Sequence, residues 1–116
     1  MSDNVIVEKS KHFAVRTVRL YQYLTNEKKE YVLSKQLLRS GTSIGANVHE
    51  AIRGQSKQDF RAKMNVALKE ASETEYWLEL LYETDYLTDK EYESINQDCA
   101  ELNKLLITIV RTADEK

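Results

Sequence analysis

Residues 37–51 read LLRSGTSIGANVHEA, and the interpretation of this stretch decides the fold. It contains Gly41 and Gly45, two of the three glycines in the chain. The stretch could be a loop that binds a ligand, or a helix in which two positions must lack a side chain. In a loop the apolar pattern would restart after the glycines. Apolar and glycine positions instead keep a spacing of three and four residues throughout: Leu37, Gly41, Ile44, Gly45, Val48 and Ile52. On a helix they form a stripe about 100° wide, so the stretch is predicted to be helical.

Both glycines lie inside this predicted core-facing stripe. The helix is expected to run from about Glu27 to Arg53, with Asn26 as its N-cap. Each glycine costs such a helix about 1 kcal/mol relative to alanine. We expect compensation from the close approach of a neighbouring helix, or from Trp77 or Tyr76 laid against the exposed backbone.

A second stripe beside the first is small and polar, and consists of Gln36, Ser40, Ser43 and Asn47. It has two interpretations: a partly exposed flank of the helix, or a subunit contact or ligand-facing groove where short side chains let a partner approach. The candidate residues for helix packing or subunit contact are therefore Ser40, Gly41, Ser43, Gly45 and Asn47.

Three further segments have helical periodicity. The first runs from about Val5 to Leu24 and the third from about Lys57 to Asp85, with Ser56 as the N-cap of the third. Thr88 and Glu91 have the spacing of a capping box, which predicts the start of a fourth helix.

The composition agrees with long helices. The 116 residues include no proline and only three glycines, and no segment has the alternating pattern of a strand. Four long helices with short connections predict an all-α fold, an antiparallel up-down-up-down four-helix bundle that forms a single domain over residues 1–116.

Charge is distributed unevenly along the chain. Residues 1–69 hold 13 lysines and arginines against 6 acidic residues, whereas residues 70–116 hold 4 against 13. In the simpler interpretation, these charged residues lie on solvent-exposed helix faces and have no partner. The alternative is a molecule with a basic and an acidic region, which attracts copies of itself or a polyanion.

The sequence predicts no catalytic, cofactor or metal site. His12 and His49 lack the Glu-x-x-His context of di-iron bundles, and the lone Cys99 lies on the apolar stripe of the fourth helix. Gly41 and Gly45 do not make a phosphate-binding loop, because no strand precedes them. We expect a cytoplasmic protein, since neither a signal peptide nor an apolar run of about 20 residues is present.

Basic residues on the first two predicted helices make the best case for binding a polyanion. The candidate nucleic-acid-binding residues are Lys11, Arg16, Arg19, Lys35 and Arg39. Because the acidic second half of the chain repels phosphate, we expect binding to RNA or DNA to be weak.

The two segments SKQLLRSGTSIGANVHEA (34–51) and SKQDFRAKMNVALKEASETEYWLELL (56–81) resemble the bacterial four-helix-bundle proteins known as 23S rRNA intervening-sequence proteins. The resemblance covers about residues 5–113. It implies an antiparallel bundle that assembles into a ring, typically a homopentamer, with no established enzymatic activity. A related accessory protein of diversity-generating retroelements binds nucleic acid and a reverse transcriptase through a strongly basic surface.

The expected function is that of a non-enzymatic homo-oligomeric assembly or interaction module. The alternative is a nucleic-acid-binding accessory protein, associated with rRNA or a reverse transcriptase, that uses a basic face of the first two helices. The net charge of −2 departs from the strongly basic relatives and weighs against that alternative.

Overall fold

The computed structural model of the chain describes residues 2–115, with side chains from Val5 onward. In that part the regular structure consists of helices α1 (Ser2–Asn26), α2 (Leu33–Ile52), α3 (Lys57–Glu83) and α4 (Asp89–Asp114). They form an elongated body with extents of 45 × 21 × 20 Å. The predicted all-α fold is confirmed.

Contacts between side chains show that neighbouring helices are antiparallel. On α2 and α3, Arg39 pairs with Glu70, whereas Glu50, further along α2, pairs with Lys63, further back on α3. Each of α1 and α3 packs against both α2 and α4 but not against the other. The bundle therefore runs up-down-up-down, with α1 and α3 at diagonally opposite corners.

One apolar core lies between the four helices. The predicted stripes supply it, as expected when apolar residues recur every three or four positions. Its fully buried large side chains include Ile6, Phe13, Leu24, Leu37, Ile44, Met64, Leu78, Leu81, Leu102 and Leu106.

The predicted start of the second helix is wrong. Asn26 is the last residue of α1 rather than an N-cap, and α2 begins at Leu33 instead of Glu27. The cause is Glu30, whose carboxylate accepts hydrogen bonds from the backbone N–H groups of Val32 (3.2 Å), Leu33 (3.0 Å) and Ser34 (2.7 Å). These are the unpaired donors of a helix N-terminus, so Glu30 fixes the start of α2.

The other predicted helix ends are close to those observed. The Ser56 side chain accepts a hydrogen bond from the Asp59 backbone at 3.0 Å. Thr88 and Glu91 form both hydrogen bonds of a capping box. Helix α3 ends two residues before the predicted Asp85, which adopts a left-handed conformation with φ of 70°.

Candidate interaction surfaces

The two glycines of α2 lie directly against α1. A Cβ atom on Gly41 would be 2.6 Å from both Cγ2 and Oγ1 of Thr17, and a Cβ atom on Gly45 would be 3.2 Å from the carbonyl oxygen of Ser10. Thr17 is buried and donates a hydrogen bond to the carbonyl of Phe13 at 2.9 Å. The missing side chains therefore let α1 approach α2 closely, along one continuous helix.

The alternative covering groups, Trp77 and Tyr76, lie elsewhere on α3. The Trp77 indole N–H donates to the Glu73 carboxylate at 2.9 Å. The Tyr76 ring packs edge-on against Trp77, with 5.2 Å between ring centroids, and is 55% exposed. The close approach of α1, rather than an aromatic side chain of α3, therefore explains why α2 has glycine at positions 41 and 45.

The small polar stripe of α2 divides into a buried and a half-exposed part. Ser40 is buried and accepts a hydrogen bond from the Thr74 hydroxyl of α3 at 2.9 Å. Ser43 and Asn47 are half-buried and donate to backbone carbonyls of their own helix. Gln36 is exposed. Ser40 therefore serves helix packing within the chain, and Ser43 and Asn47 are left on a partly exposed flank.

Two of the five basic candidates are engaged by acidic residues of the same chain. Arg16 forms an ion pair with Asp98 at 2.7 Å and donates to the Ser94 hydroxyl at 2.9 Å, both on α4. Arg39 pairs with Glu70 at 3.2 Å and also with Glu73 on α3. Hydrogen bonds from Trp77 and then Arg39 lower the pKa of Glu73.

The other three basic candidates are exposed. Lys11 and Arg19 lie on α1, and Lys35 lies in the first turn of α2. None of them has an ion pair with another of the residues whose side chains are described. The five candidates therefore do not act as one free basic face.

The fold neutralises much of the charge difference between the two halves of the sequence. Every ion pair among the described side chains joins two different helices. The remaining pairs are Lys9–Glu101, Arg61–Asp114 and Lys63–Glu50. In every pair except Lys63–Glu50 a basic side chain of residues 1–69 lies beside an acidic side chain of residues 70–116, which accounts for part of the sequence asymmetry without a partner.

Each pair of adjacent helices meets along one packing interface, or seam. The seam between α1 and α4 is more open than the other three seams of the bundle. A groove of about 540 Å³ runs along it. Its apolar lining is Val15, Leu20, Tyr23, Leu87 and Ile95, and its polar rim is Arg16, Arg19, Lys90, Glu91 and Ser94.

The outer surface of α3 is acidic around an exposed aromatic ring. Glu79 and Glu83 are exposed and follow Tyr76 by three and seven residues, which places them on the same side of the helix. Toward α4, Glu75 is half-buried, and burial followed by repulsion from Glu79 raises its pKa. Sequence reasoning did not single out this surface, although the spacing of its residues is visible in the sequence.

The cysteine and the two histidines of the chain differ in exposure: Cys99 is buried, whereas both histidines are at the surface. Cys99 is buried and its thiol donates weakly to the carbonyl of Ala71 at 3.5 Å, and burial raises its pKa. His12 and His49 are exposed. Within residues 2–115, no three His, Cys, Asp or Glu side chains come together as a metal site would require, and no helix is long and apolar enough to cross a membrane.

These features define a class: small antiparallel four-helix bundles with one apolar core between the helices. Residues 2–108 match the family model described as 23S rRNA-intervening sequence protein, and the chain belongs to that family.

A solved structure supports the same placement. The chain is similar to a protein of unknown function from the S23 ribosomal protein family of Bacteroides thetaiotaomicron, with 63% sequence identity and a TM-score of 0.94. The match covers 96% of this chain and 99% of that one. No curated protein has a significant sequence match to the chain.

Proposed function

We propose that the protein is a non-enzymatic assembly module that works as a ring-shaped homo-oligomer. The observation that carries the proposal is a pair of neighbouring apolar side chains on the outside of the bundle. Val15 is 50% exposed and Val18 is 38% exposed, one turn apart on α1. Single exposed apolar residues are ordinary on monomers, but adjacent ones favour a contact surface.

Two further observations support this proposal. The buried state of Cys99 leaves the thiol without access to a substrate, which favours a role in interaction over one in catalysis. The resemblance of the chain to the intervening-sequence proteins supports a ring of five copies. The proposed setting is the cytoplasm.

The test is the mass of the protein in solution. Sedimentation velocity or light scattering after size exclusion should give a multiple of 13.5 kDa, and five times that value for a pentamer. A mass of 13.5 kDa over the whole micromolar concentration range would contradict self-association.

A second candidate function is weak binding of nucleic acid, for example of rRNA. The observation that favours it is the solvent exposure of Lys11, Arg19 and Lys35. Arg16 and Arg39 would first have to leave their carboxylate partners, so we expect these two to contribute less. Titration with rRNA fragments at low and moderate salt is the test, because phosphate binding weakens steeply as salt rises. Tight binding that survives moderate salt would rank this function above assembly.

A further inference from the structure

Two outer surfaces of the bundle carry opposite charge around exposed apolar side chains. The α1 outer face consists of Lys11, Val15, Val18 and Arg19, and the α3 outer face consists of Tyr76, Glu79 and Glu83. All seven side chains are exposed, and none has an interhelical ion pair among the described side chains. Each face therefore offers an apolar patch with unpaired charge beside it.

The two faces lie on opposite sides of the bundle. Helices α1 and α3 do not pack against each other, because they occupy diagonal corners. A contact between the α1 outer face of one copy and the α3 outer face of another is therefore heterologous, since the two partners contribute different surfaces. Repeating such a contact produces either a closed ring or an open filament, depending on whether the rotation closes.

The two faces lie at nearly the same height along the bundle. Thr17 of α1 lies against Gly41 of α2, and the preceding residue of α2, Ser40, is hydrogen-bonded to Thr74 of α3. Thr17 and Thr74 are thus nearly level, and α1 and α3 run in the same direction because both are antiparallel to α2. Val15 and Val18 lie on either side of Thr17 in sequence. Tyr76 follows Thr74 by two residues, or about 3 Å along the axis.

We infer that the α1 outer face of one copy binds the α3 outer face of the next copy, an interface that rests on the proposed self-association. Val15 and Val18 pack against Tyr76, and Arg19 pairs with Glu79. Glu83 lies one turn further along α3 and adds acidic charge beside that pair. The contact brings these groups together with little sliding along the helices, and the angle between neighbouring copies decides whether the repeat closes into a ring or continues as a filament.

Charged residues at equal heights on the two faces show which part of the proposed interface is attractive. Lys69, which is exposed on α3, is nearly level with Lys11, and Glu8 is exposed one turn before Lys11 on the same side of α1, so this end of the interface contributes little net attraction. Arg19 faces only acidic residues of the α3 outer face. The favourable pairs are therefore concentrated at Arg19, and this residue is the one to change.

Charge reversal tests the interface. Arg19→Glu should raise the protein concentration needed for half-assembly by roughly tenfold, because attraction is replaced by repulsion. The variant Glu79→Arg/Glu83→Arg should have a similar effect. The chain that carries all three substitutions should assemble within roughly twofold of the original concentration, because the pairs are re-formed with reversed sign.

The matched control is Lys104→Glu, which makes the same charge change at an exposed position of α4. It should leave assembly unchanged, and circular dichroism should show the same helical content for every variant. Sedimentation velocity measures the assembly, and a closed ring gives one mass that stops growing with concentration.

The outcomes separate this interface from self-association itself. If the unmodified chain assembles but Arg19→Glu changes nothing, or changes no more than Lys104→Glu, the α1–α3 interface is wrong and self-association stands. Failure of the triple variant to recover also overturns the interface. An unmodified chain that stays monomeric overturns both proposals.

Discussion

Helix α1 is held in two different ways along its two seams. Against α2 it meets the bare backbone of Gly41, where a Cβ atom would be only 2.6 Å from Thr17. Against α4 it is tied by long side chains, such as Arg16 with Asp98 at 2.7 Å, and a groove of about 540 Å³ remains between the helices. The first seam is close because side chains are absent, and the second is wide because charged side chains bridge it.

This difference predicts how each seam responds to change. Interiors are packed so closely that an added methylene group has to displace its neighbours. The α1–α2 seam should therefore be intolerant of added volume. The α1–α4 seam has room, and its bridging pairs are partly solvated, so removal of one pair should matter little.

The largest expected effect comes from Gly41→Leu. The Cβ atom alone would overlap Thr17, and the rest of the side chain has no space, so we expect the free energy of unfolding to fall by about 3 kcal/mol. Urea denaturation at one protein concentration measures the loss. The matched control is Ala46→Leu on the exposed side of α2, for which we expect a change within about 0.5 kcal/mol. Equal losses for the two variants would contradict a close α1–α2 seam.

Gly41→Ala gives a smaller effect of the same origin. Alanine improves helix propensity by about 1 kcal/mol, but the collision with the buried Thr17 outweighs it, so we expect a net loss of about 1–2 kcal/mol. At Gly45 the Cβ atom would be 3.2 Å from a carbonyl oxygen, so Gly45→Ala should be nearly neutral.

A second substitution tests whether Thr17 causes the loss. Thr17→Ala removes the two atoms that would lie 2.6 Å from the new Cβ and leaves only the Thr17 Cβ at 3.1 Å, and the hydrogen bond lost lies within α1. In the chain with both Gly41→Ala and Thr17→Ala, most of the glycine-to-alanine penalty should disappear. A double-mutant cycle with additive losses would show that the strain lies elsewhere.

The next effect concerns Glu30, which fixes the turn between the two helices of the close seam. Burial alone would raise its pKa, but hydrogen bonds from the backbone N–H groups of Leu33, Ser34 and Val32 outweigh burial, and the pKa is lowered. We expect Glu30→Gln to lower the free energy of unfolding by about 1 kcal/mol at neutral pH, because a charged acceptor is lost.

The sign of the pH dependence follows from this lowered pKa. The unfolded chain binds a proton on Glu30 at higher pH than the folded chain does, so the stabilisation is complete above the unfolded pKa. It is lost as the pH falls through the folded pKa. Urea melts between neutral and acidic pH should converge for the original chain and Glu30→Gln, whereas a constant difference would contradict the role of the carboxylate.

Residues that face the core were predictable from the sequence, but their neighbours across the seams were not. Spacing alone placed Gly41, Ile44 and Ile52 on one core-facing stripe. Gly41 and Ile44 are buried, whereas the prediction is wrong for Ile52, which is 41% exposed because α2 ends there. The spacing contains no information on the height at which α1 meets α2, so Thr17 could not be identified as the residue opposite Gly41. That height depends on the intervening turn.

The turn itself shows the second limit of the sequence. Asn26 and Glu27 have the residue types of a helix start, and local preference favoured them. The hydrogen bonds of Glu30 to three backbone amides override this preference, and glutamate at such a position is not a usual cap. In the same way, the basic residues of the first half were visible, but their partners Asp98 and Glu70 became known only from the packing of the helices.

The smallest expected effects are at the α1–α4 seam. Lys9 pairs with Glu101 at 3.1 Å, with about half of each side chain exposed, so Lys9→Ala should change the free energy of unfolding by about 0–0.5 kcal/mol. Arg16 is less exposed and also bonds Ser94, so Arg16→Ala should cost about 1 kcal/mol. Lys104→Ala, at an exposed lysine of α4 without an ion pair among the described side chains, is the control.

Salt separates the electrostatic part of these losses from the packing part. Exposed pairs are screened at high ionic strength, so the difference between Lys9→Ala and Lys104→Ala should vanish there, whereas the loss for Gly41→Ala should persist. Urea melts at low and high salt provide the measurement. A salt-independent loss at Lys9 as large as that at Gly41 would mean that the α1–α4 seam is held by packing, and the contrast between the two sides of α1 would then be wrong.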